Sequence, residues 1–107
     1  MKPIPRKKIE KSFAEKGFVK EEGRDHRFWY FFYKGKKTRI RAKISTGTGY
    51  EDYKINLLKR IKNQLFLDSL KELDDLLRCP MDGKQYAELM LSKKVVIFNN
   101  FEKEIFK

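Results

Sequence analysis

Six consecutive aromatic residues, 28–33, constrain the fold of this chain more than any other feature of its sequence. Aromatic side chains favour a pleated, half-buried strand. The tripeptide Lys34-Gly35-Lys36 follows, and Gly35 can take the positive φ that a tight turn requires. The chain then returns through residues 38–44. The stretch 25–45 therefore predicts a β-hairpin.

The returning strand of this hairpin alternates between basic residues and apolar or small ones. One face carries the apolar and small members, Thr38, Ile40, Ala42 and Ile44. The other face carries the basic members, Arg39, Arg41 and Lys43. The aromatic strand alternates less clearly, with one side formed by His26, Phe28, Tyr30 and Phe32 and the other by Arg27, Trp29, Phe31 and Tyr33. Aromatic side chains therefore remain beside the basic row, either as a nucleic-acid platform or under another part of the protein.

Composition favours a polyanionic partner. The chain has 107 residues, enough for one domain with a modest core, and a formal net charge of +11. Such a charge attracts polyanions over a Debye length of about 8 Å. Nucleic acid is the leading partner class, although an anionic membrane surface or an acidic protein would satisfy the same charge.

The cysteine and histidine counts argue against a disulfide or a zinc site. Cys79 is the single cysteine and His26 the single histidine, so we expect neither a metal nor another cofactor. Residues 1–13 lack an apolar run of signal-peptide length, and no run of about 18 apolar residues occurs. We therefore expect a soluble, cytoplasmic protein without a membrane segment.

The first part of the chain predicts a helix and an edge strand. A helix over residues 5–16 places Ile9 and Phe13 on its apolar side, with basic residues on the rest of its surface: Lys7, Lys8, Lys11 and Lys16. Gly17 ends the helix. Residues 18–21 predict an edge strand, and residues 22–24 a polar turn into the hairpin.

A second helix is predicted over residues 53–66, with Asp52 as its cap. Its apolar side chains form one stripe, which we expect to pack across the sheet beside the first helix: Leu57, Leu58, Ile61 and Leu65. Residues 46–49 contain two glycines but lack the Gly-Lys-Ser/Thr ending of a nucleotide-binding loop. They are therefore interpreted as a linker.

Two short helices are predicted after residue 67. Residues 69–72 match a capping box, and a leucine stripe follows until Pro80 stops the helix. Asp82 begins another helix, with an apolar side formed by Tyr86, Leu89 and Met90. These helices must cover apolar surface, and the aromatics beside the basic row are the favoured candidate. The segment 95–106 is compatible with a hairpin, a helix extension or a dimer contact.

These elements predict an α+β fold with an α-β-β-β-α core and a three-stranded antiparallel sheet, in residues 1–67, followed by a helical extension in residues 68–107 packed on the core. This order resembles the HicA family of small toxins, which share the fold of the double-stranded-RNA-binding domain. The resemblance covers about residues 5–67. It is carried by the following residues: Lys8-Ile9, Phe13, Gly17-Phe18, Gly23, His26, Lys43-Ile44-Ser45 and 57–67. The segment Cys79-Pro80-Met81 followed by Tyr86 is similar to extended relatives of that family.

The resemblance implies RNA cleavage without a metal, centred on one histidine, and neutralisation by an acidic antitoxin-like protein of the HicB type. His26 is the only histidine present. This chain reads Gly23-Arg24-Asp25-His26, whereas the family usually has Gly-Ser/Thr-His or a similar short motif. The candidate phosphate-binding residues are the basic ones of the hairpin: Arg27, Lys36, Lys37, Arg39, Arg41 and Lys43. Two alternatives remain open: a non-catalytic nucleic-acid-binding module, and a subunit that binds an acidic protein.

Overall fold

The structure, a computed structural model, describes residues 2–24, 26–45, 51–78 and 81–95. Its elements in chain order are β1 (Ile4–Pro5), α1 (Arg6–Glu15), β2 (Phe18–Glu22), β3 (His26–Tyr33), β4 (Lys36–Ser45), β5 (Asp52–Tyr53), α2 (Ile55–Gln64), α3 (Leu70–Leu77) and α4 (Gly83–Ser92). Strands β2, β3 and β4 form an antiparallel sheet in that order, and β1 pairs with β5. The predicted α+β class, with a three-stranded sheet and helices after it, is confirmed.

The hairpin turns through two residues. Lys34 has φ 52 and Gly35 has φ 77. Positive values at both central positions belong to the type I′ turn, whose twist matches that of the flanking strands. The predicted turn was one residue longer, and Lys36 instead begins β4.

An irregularity in the β3–β4 pairing lies between Tyr30 and Phe32. The hydroxyl of Thr38 is buried there, donating to the carbonyl of Phe31 at 2.6 Å and accepting from the N–H of Ile40 at 3.2 Å. The side chain thus replaces ladder bonds that the shift removes. Tyr30 pairs with Arg41 and Phe32 with Lys37, so the shift is two residues and each side chain keeps its face.

The helices pack against one side of this sheet, which we call the inner face. It is formed by buried side chains from all three strands: Phe18, Trp29, Phe31, Thr38, Ile40, Ala42 and Ile44. Phe13 of α1 stacks on Phe18 at 4.9 Å between ring centroids, and Tyr86 of α4 meets the ring of Phe31 edge-on at 4.9 Å. Of the C-terminal helices, α4 therefore packs on the inner face, and the favoured expectation that these helices cover the aromatics beside the basic row is wrong.

The end of α1 holds the start of α4 and the end of α3. Lys16 is only 7% exposed, and its ammonium donates to the carbonyls of Arg78 at 2.9 Å and Met81 at 2.5 Å. Its expected place on the solvent side of α1 is wrong, because these carbonyls come from residues more than sixty positions later in the chain. A Cβ at Gly83 would overlap the carbonyl oxygen of Lys16, so only glycine fits there.

The start of α2 differs from its prediction. Asp52 and Tyr53 lie in β5, opposite Pro5 and Ile4, and the N-cap of α2 is Lys54 without a side-chain hydrogen bond. The predicted cap at Asp52 and the predicted bounds 53–66 are therefore wrong. Tyr53 is 2% exposed, and its hydroxyl accepts from the N–H of Ser45 at 2.8 Å. That burial raises the pKa of Tyr53 above its ordinary value.

The last two helices begin where the sequence signals predicted, but the capping box predicted for residues 69–72 is incomplete. Ser69 accepts from the N–H of Glu72 at 3.2 Å, while Glu72 itself accepts from the N–H of Asp68 at 2.7 Å. Asp82 and Gln85 form a complete capping box at α4. The predictions for residues 46–49, for Pro80 and for 96–106 lie outside the described residues. Within the described residues, no helix has the length and apolarity needed to cross a membrane.

Candidate nucleic-acid interface

The side of the sheet opposite the helices carries the candidate site, and we call it the outer face. It consists of two parallel rows, His26, Phe28, Tyr30 and Phe32 on β3 and Lys37, Arg39, Arg41 and Lys43 on β4. The β3 side chains are half-buried and the β4 side chains are exposed. The strict alternation read from the sequence of β4 therefore predicted its two faces correctly.

Arg41 lies across two rings of the neighbouring strand. Its guanidinium is 4.5 Å from the ring centroid of Phe28 and 5.9 Å from that of Tyr30. One of its N–H groups also donates to the Tyr30 hydroxyl at 3.1 Å. A guanidinium held over a ring in this way keeps free donors on its outward edge, ready for an oxyanion.

Lys37, which pairs with Phe32, also lies over a ring of β3. Its ammonium is 3.9 Å from the ring centroid of Tyr30, and 2.6 Å from a carboxylate oxygen of Glu21 on β2. Because Tyr30 belongs to the middle strand, the Lys37 side chain crosses β3 to reach Glu21. We call this ion pair the Lys37–Glu21 bridge.

The end of α2 adjoins the far side of the basic row. The guanidinium of Arg39 is 5.6 Å from the ring centroid of Phe66, and the side chain of Gln64 accepts from the backbone N–H of Lys43 at 3.0 Å. Phe66 has a φ of 58, a left-handed conformation that ends the helix. The sequence analysis did not identify Phe66 or Glu21 as part of the site. The only sequence signal for this helix was its apolar stripe, and Phe66 does not belong to that stripe.

His26 lies at the end of the β3 row, where it pairs with Ser45. Its ring meets Phe28 edge-on at 4.9 Å between centroids. The N–H of Gly23 donates to the carbonyl of His26 at 2.8 Å, and a Cβ at Gly23 would lie 3.2 Å from the imidazole Nε2. Glycine at this position thus lets the turn fold back against the histidine. Asp25 lies outside the described residues.

Two of the six predicted phosphate-binding residues are placed apart from the row. Arg27 points to the helix side, where its guanidinium contacts both carboxylate oxygens of Glu10 at 2.8 Å and Glu22 at 3.3 Å. The hydrogen bond that Arg27 donates to Glu10 raises the pKa of Arg27 above its ordinary value. Lys36 is exposed at the tip of the hairpin, opposite Tyr33. The structure therefore brings together Lys37, Arg39, Arg41 and Lys43.

A half-open cavity of about 480 Å³ lies away from this row, between the end of α1, the end of β3 and the start of α4. Its lining mixes apolar groups with charges of both signs, among them Glu15, Lys34, Lys84 and Glu88. Across the described residues, no three His, Cys, Asp or Glu side chains group as metal ligands would. No family model matches this chain, and neither a curated protein nor a solved structure matches it.

Proposed function

We propose that the protein binds RNA on the outer face of its sheet. The observation that supports this proposal is the exposed row of four cations on β4, two of them held over half-buried aromatic rings of β3. The described helices pack on the other side and leave this row accessible. A row of cations beside aromatic rings is a common arrangement in proteins that bind single strands and RNA loops.

The electrostatics support the same proposal. Neutralising phosphates releases condensed counterions, so affinity that depends on lysine and arginine falls as salt rises. The net charge of +11 adds a long-range attraction for any polyanion. Phosphate contacts position the ligand without reading its bases. We therefore expect strong salt dependence and little sequence preference.

The experiment compares two double variants that remove the same charge. Arg39→Ala with Arg41→Ala removes the two middle cations of the basic row on β4. Lys59→Ala with Arg60→Ala removes two exposed cations of α2. The salt dependence of RNA affinity is measured for both and for the unsubstituted protein. We expect the outer-face variant to bind less tightly and to lose roughly one to two units from its salt slope, at about 0.7 per phosphate contact. Equal weakening in both variants would contradict the proposal.

A second function, RNA cleavage by His26, is supported by the position of the imidazole. It lies on the outer face at one end of the aromatic row, so RNA on the cationic row would pass beside it. In this proposal the imidazole takes the proton of a ribose 2′-hydroxyl, and that oxygen bonds to the adjacent phosphorus. The bond from phosphorus to the 5′ oxygen breaks, and this oxygen takes a proton from solvent. The products of this step are a cyclic phosphate and a 5′-hydroxyl.

His26→Ala separates cleavage from binding. Loss of a general base typically lowers the rate by about 10²–10⁴-fold, while every phosphate contact stays in place. We expect cleavage to vanish and affinity to stay unchanged, measured on one RNA under one set of conditions. Cleavage that survives in His26→Ala would refute the histidine mechanism. Binding without cleavage in the unsubstituted protein would leave the nucleic-acid-binding module as the function.

A further inference from the structure

We infer that the RNA bound on the outer face is a single strand, with its phosphates along β4 and its bases over the aromatic rings of β3. This inference rests on the proposed function and specifies its ligand. It follows from the spacing of the two rows, from the difference in charge between the two edges of the sheet, and from the cations that now lie on the rings.

The spacing of the rows suits one polynucleotide strand. Alternate residues of a strand lie about 7 Å apart, and neighbouring strands about 5 Å apart. The cations from Lys37 to Lys43 therefore follow one strand beside the rings of β3, although the irregularity between the Tyr30 and Phe32 pairs leaves Arg39 without a β3 partner. A nucleotide whose phosphate meets β4 can place its base over β3. In a duplex the bases are stacked inside the helix, where the rings cannot reach their faces.

The charges on the two edges of the sheet also favour a single strand. On the outer face, β4 carries four cations, whereas β2 carries Val19 and Glu21. A duplex presents two phosphate backbones, and the one nearer β2 would meet a carboxylate. A single strand presents one backbone, for which β4 provides the basic track. The face therefore has complementary charge for one strand only.

The protein's own cations now occupy the faces on which bases would stack. Arg41 lies over Phe28, and the Lys37–Glu21 bridge crosses the ring of Tyr30. A phosphate that takes Lys37 away from Glu21 also uncovers Tyr30. Glu21 therefore competes with RNA for Lys37, and its removal should favour binding.

The first test compares three ligands with the full chain at one salt concentration, using fluorescence anisotropy. The ligands are an unstructured oligouridylate, a blunt RNA duplex and an abasic strand with the same number of phosphates. One stacked base contributes an affinity factor of about 5- to 150-fold, so we expect the oligouridylate to bind at least about 5-fold more tightly than the abasic strand. Equal or tighter binding of the duplex would overturn the inference but leave RNA binding intact. Absence of binding to all three would instead refute the proposed function.

The second test uses single-residue variants of the outer face. Tyr30→Leu should weaken binding of the oligouridylate by at least about 5-fold and leave the abasic strand unaffected. Equal loss on both ligands would mean that Tyr30 only supports the fold, and would overturn the stacking role.

Glu21→Gln should strengthen oligouridylate binding by about 2- to 5-fold, the range expected for an exposed ion pair. Glu22→Gln is the matched control, since it removes the same charge from a neighbouring, similarly exposed residue that pairs with Arg27 and Lys20. An identical gain in both variants would show that net charge alone is responsible, and would refute competition by Glu21.

Discussion

Phe31 and Phe32 are adjacent in the chain but lie on opposite faces of the sheet. Phe31 is 2% exposed and contacts Phe18 and Tyr86 across the inner face. Phe32 is half-buried on the outer face, where its cross-strand partner is Lys37. One aromatic run thus contributes alternately to the core and to an accessible surface. The inner members belong to the core, whereas the outer members are half-buried beside the basic row.

The largest difference between the faces should appear on truncation of these two phenylalanines. Phe31→Ala leaves a cavity between Phe18 and the ring of Tyr86, and we expect it to lower the free energy of unfolding by about 3–5 kcal/mol. Phe32→Ala should cost about 1 kcal/mol, because solvent already reaches that side chain. Urea unfolding of both variants measures the difference. Equal losses would contradict the assignment of the two faces.

A buried lysine on the helix side should have the next largest effect. Lys16→Met keeps the aliphatic stem but leaves the carbonyls of Arg78 and Met81 without their donor. We expect a loss of about 1–3 kcal/mol in the free energy of unfolding. Lys11→Met, on the exposed side of α1, is the control and should change stability by less than about 0.5 kcal/mol. A similar loss in both variants would show that the buried ammonium is not needed.

Tyr86 should make the inner face sensitive to alkaline pH. Its hydroxyl donates to the carbonyl of Leu65 at 2.8 Å, and burial raises its pKa well above the ordinary value. The unfolded chain therefore loses this proton first, so the stability that Tyr86 contributes is present below about pH 10 and falls as pH rises further. Tyr86→Phe should cost about 1 kcal/mol at neutral pH.

The same variant should be less sensitive to alkali than the unsubstituted protein, because it lacks the titrating hydroxyl. Urea unfolding at neutral pH and above pH 10 measures how the free energy of unfolding of each protein changes with pH. A stability gap that widens with rising pH would contradict this role of Tyr86.

The smallest stability effect is expected on the outer face. Arg41→Ala removes contacts with Phe28 and Tyr30 that are open to solvent. We expect a change of less than about 1 kcal/mol in the free energy of unfolding, together with weaker RNA binding. A large loss of stability would show that the basic row serves the fold itself.

Local sequence signals predicted the hairpin, the basic row and the order of the four helices and the three strands of the main sheet, but not β1 and β5. The alternation from Thr38 to Ile44 was decisive, because a period of two leaves only one choice of buried face. Gly17 and Gly35 marked real chain reversals, each with a positive φ. The start of a helix at Ser69 was also correct, since its cap bond joins residues three positions apart, and so was the start of the next helix at Asp82.

Long-range contacts explain what the sequence analysis did not predict. The aromatics of β3 occur on both faces, so their pattern alone could not show that Tyr86 would pack on the inner one. Asp52 is a residue type that often caps helices. In the structure it belongs to β5, which pairs with the distant β1, so α2 begins after Lys54. The Lys37–Glu21 bridge spans three strands, and no local spacing indicates it.

The central claim, that RNA binds on the outer face, is tested most directly by mapping the contact on the protein. Backbone amide NMR shifts of the full chain are recorded while an unstructured oligouridylate is added at low salt. The account predicts that the largest shifts fall in residues 28–32 and 37–43, with little change at the exposed lysines of α1. Largest shifts in α1 or α2, or no shifts at all, would contradict it.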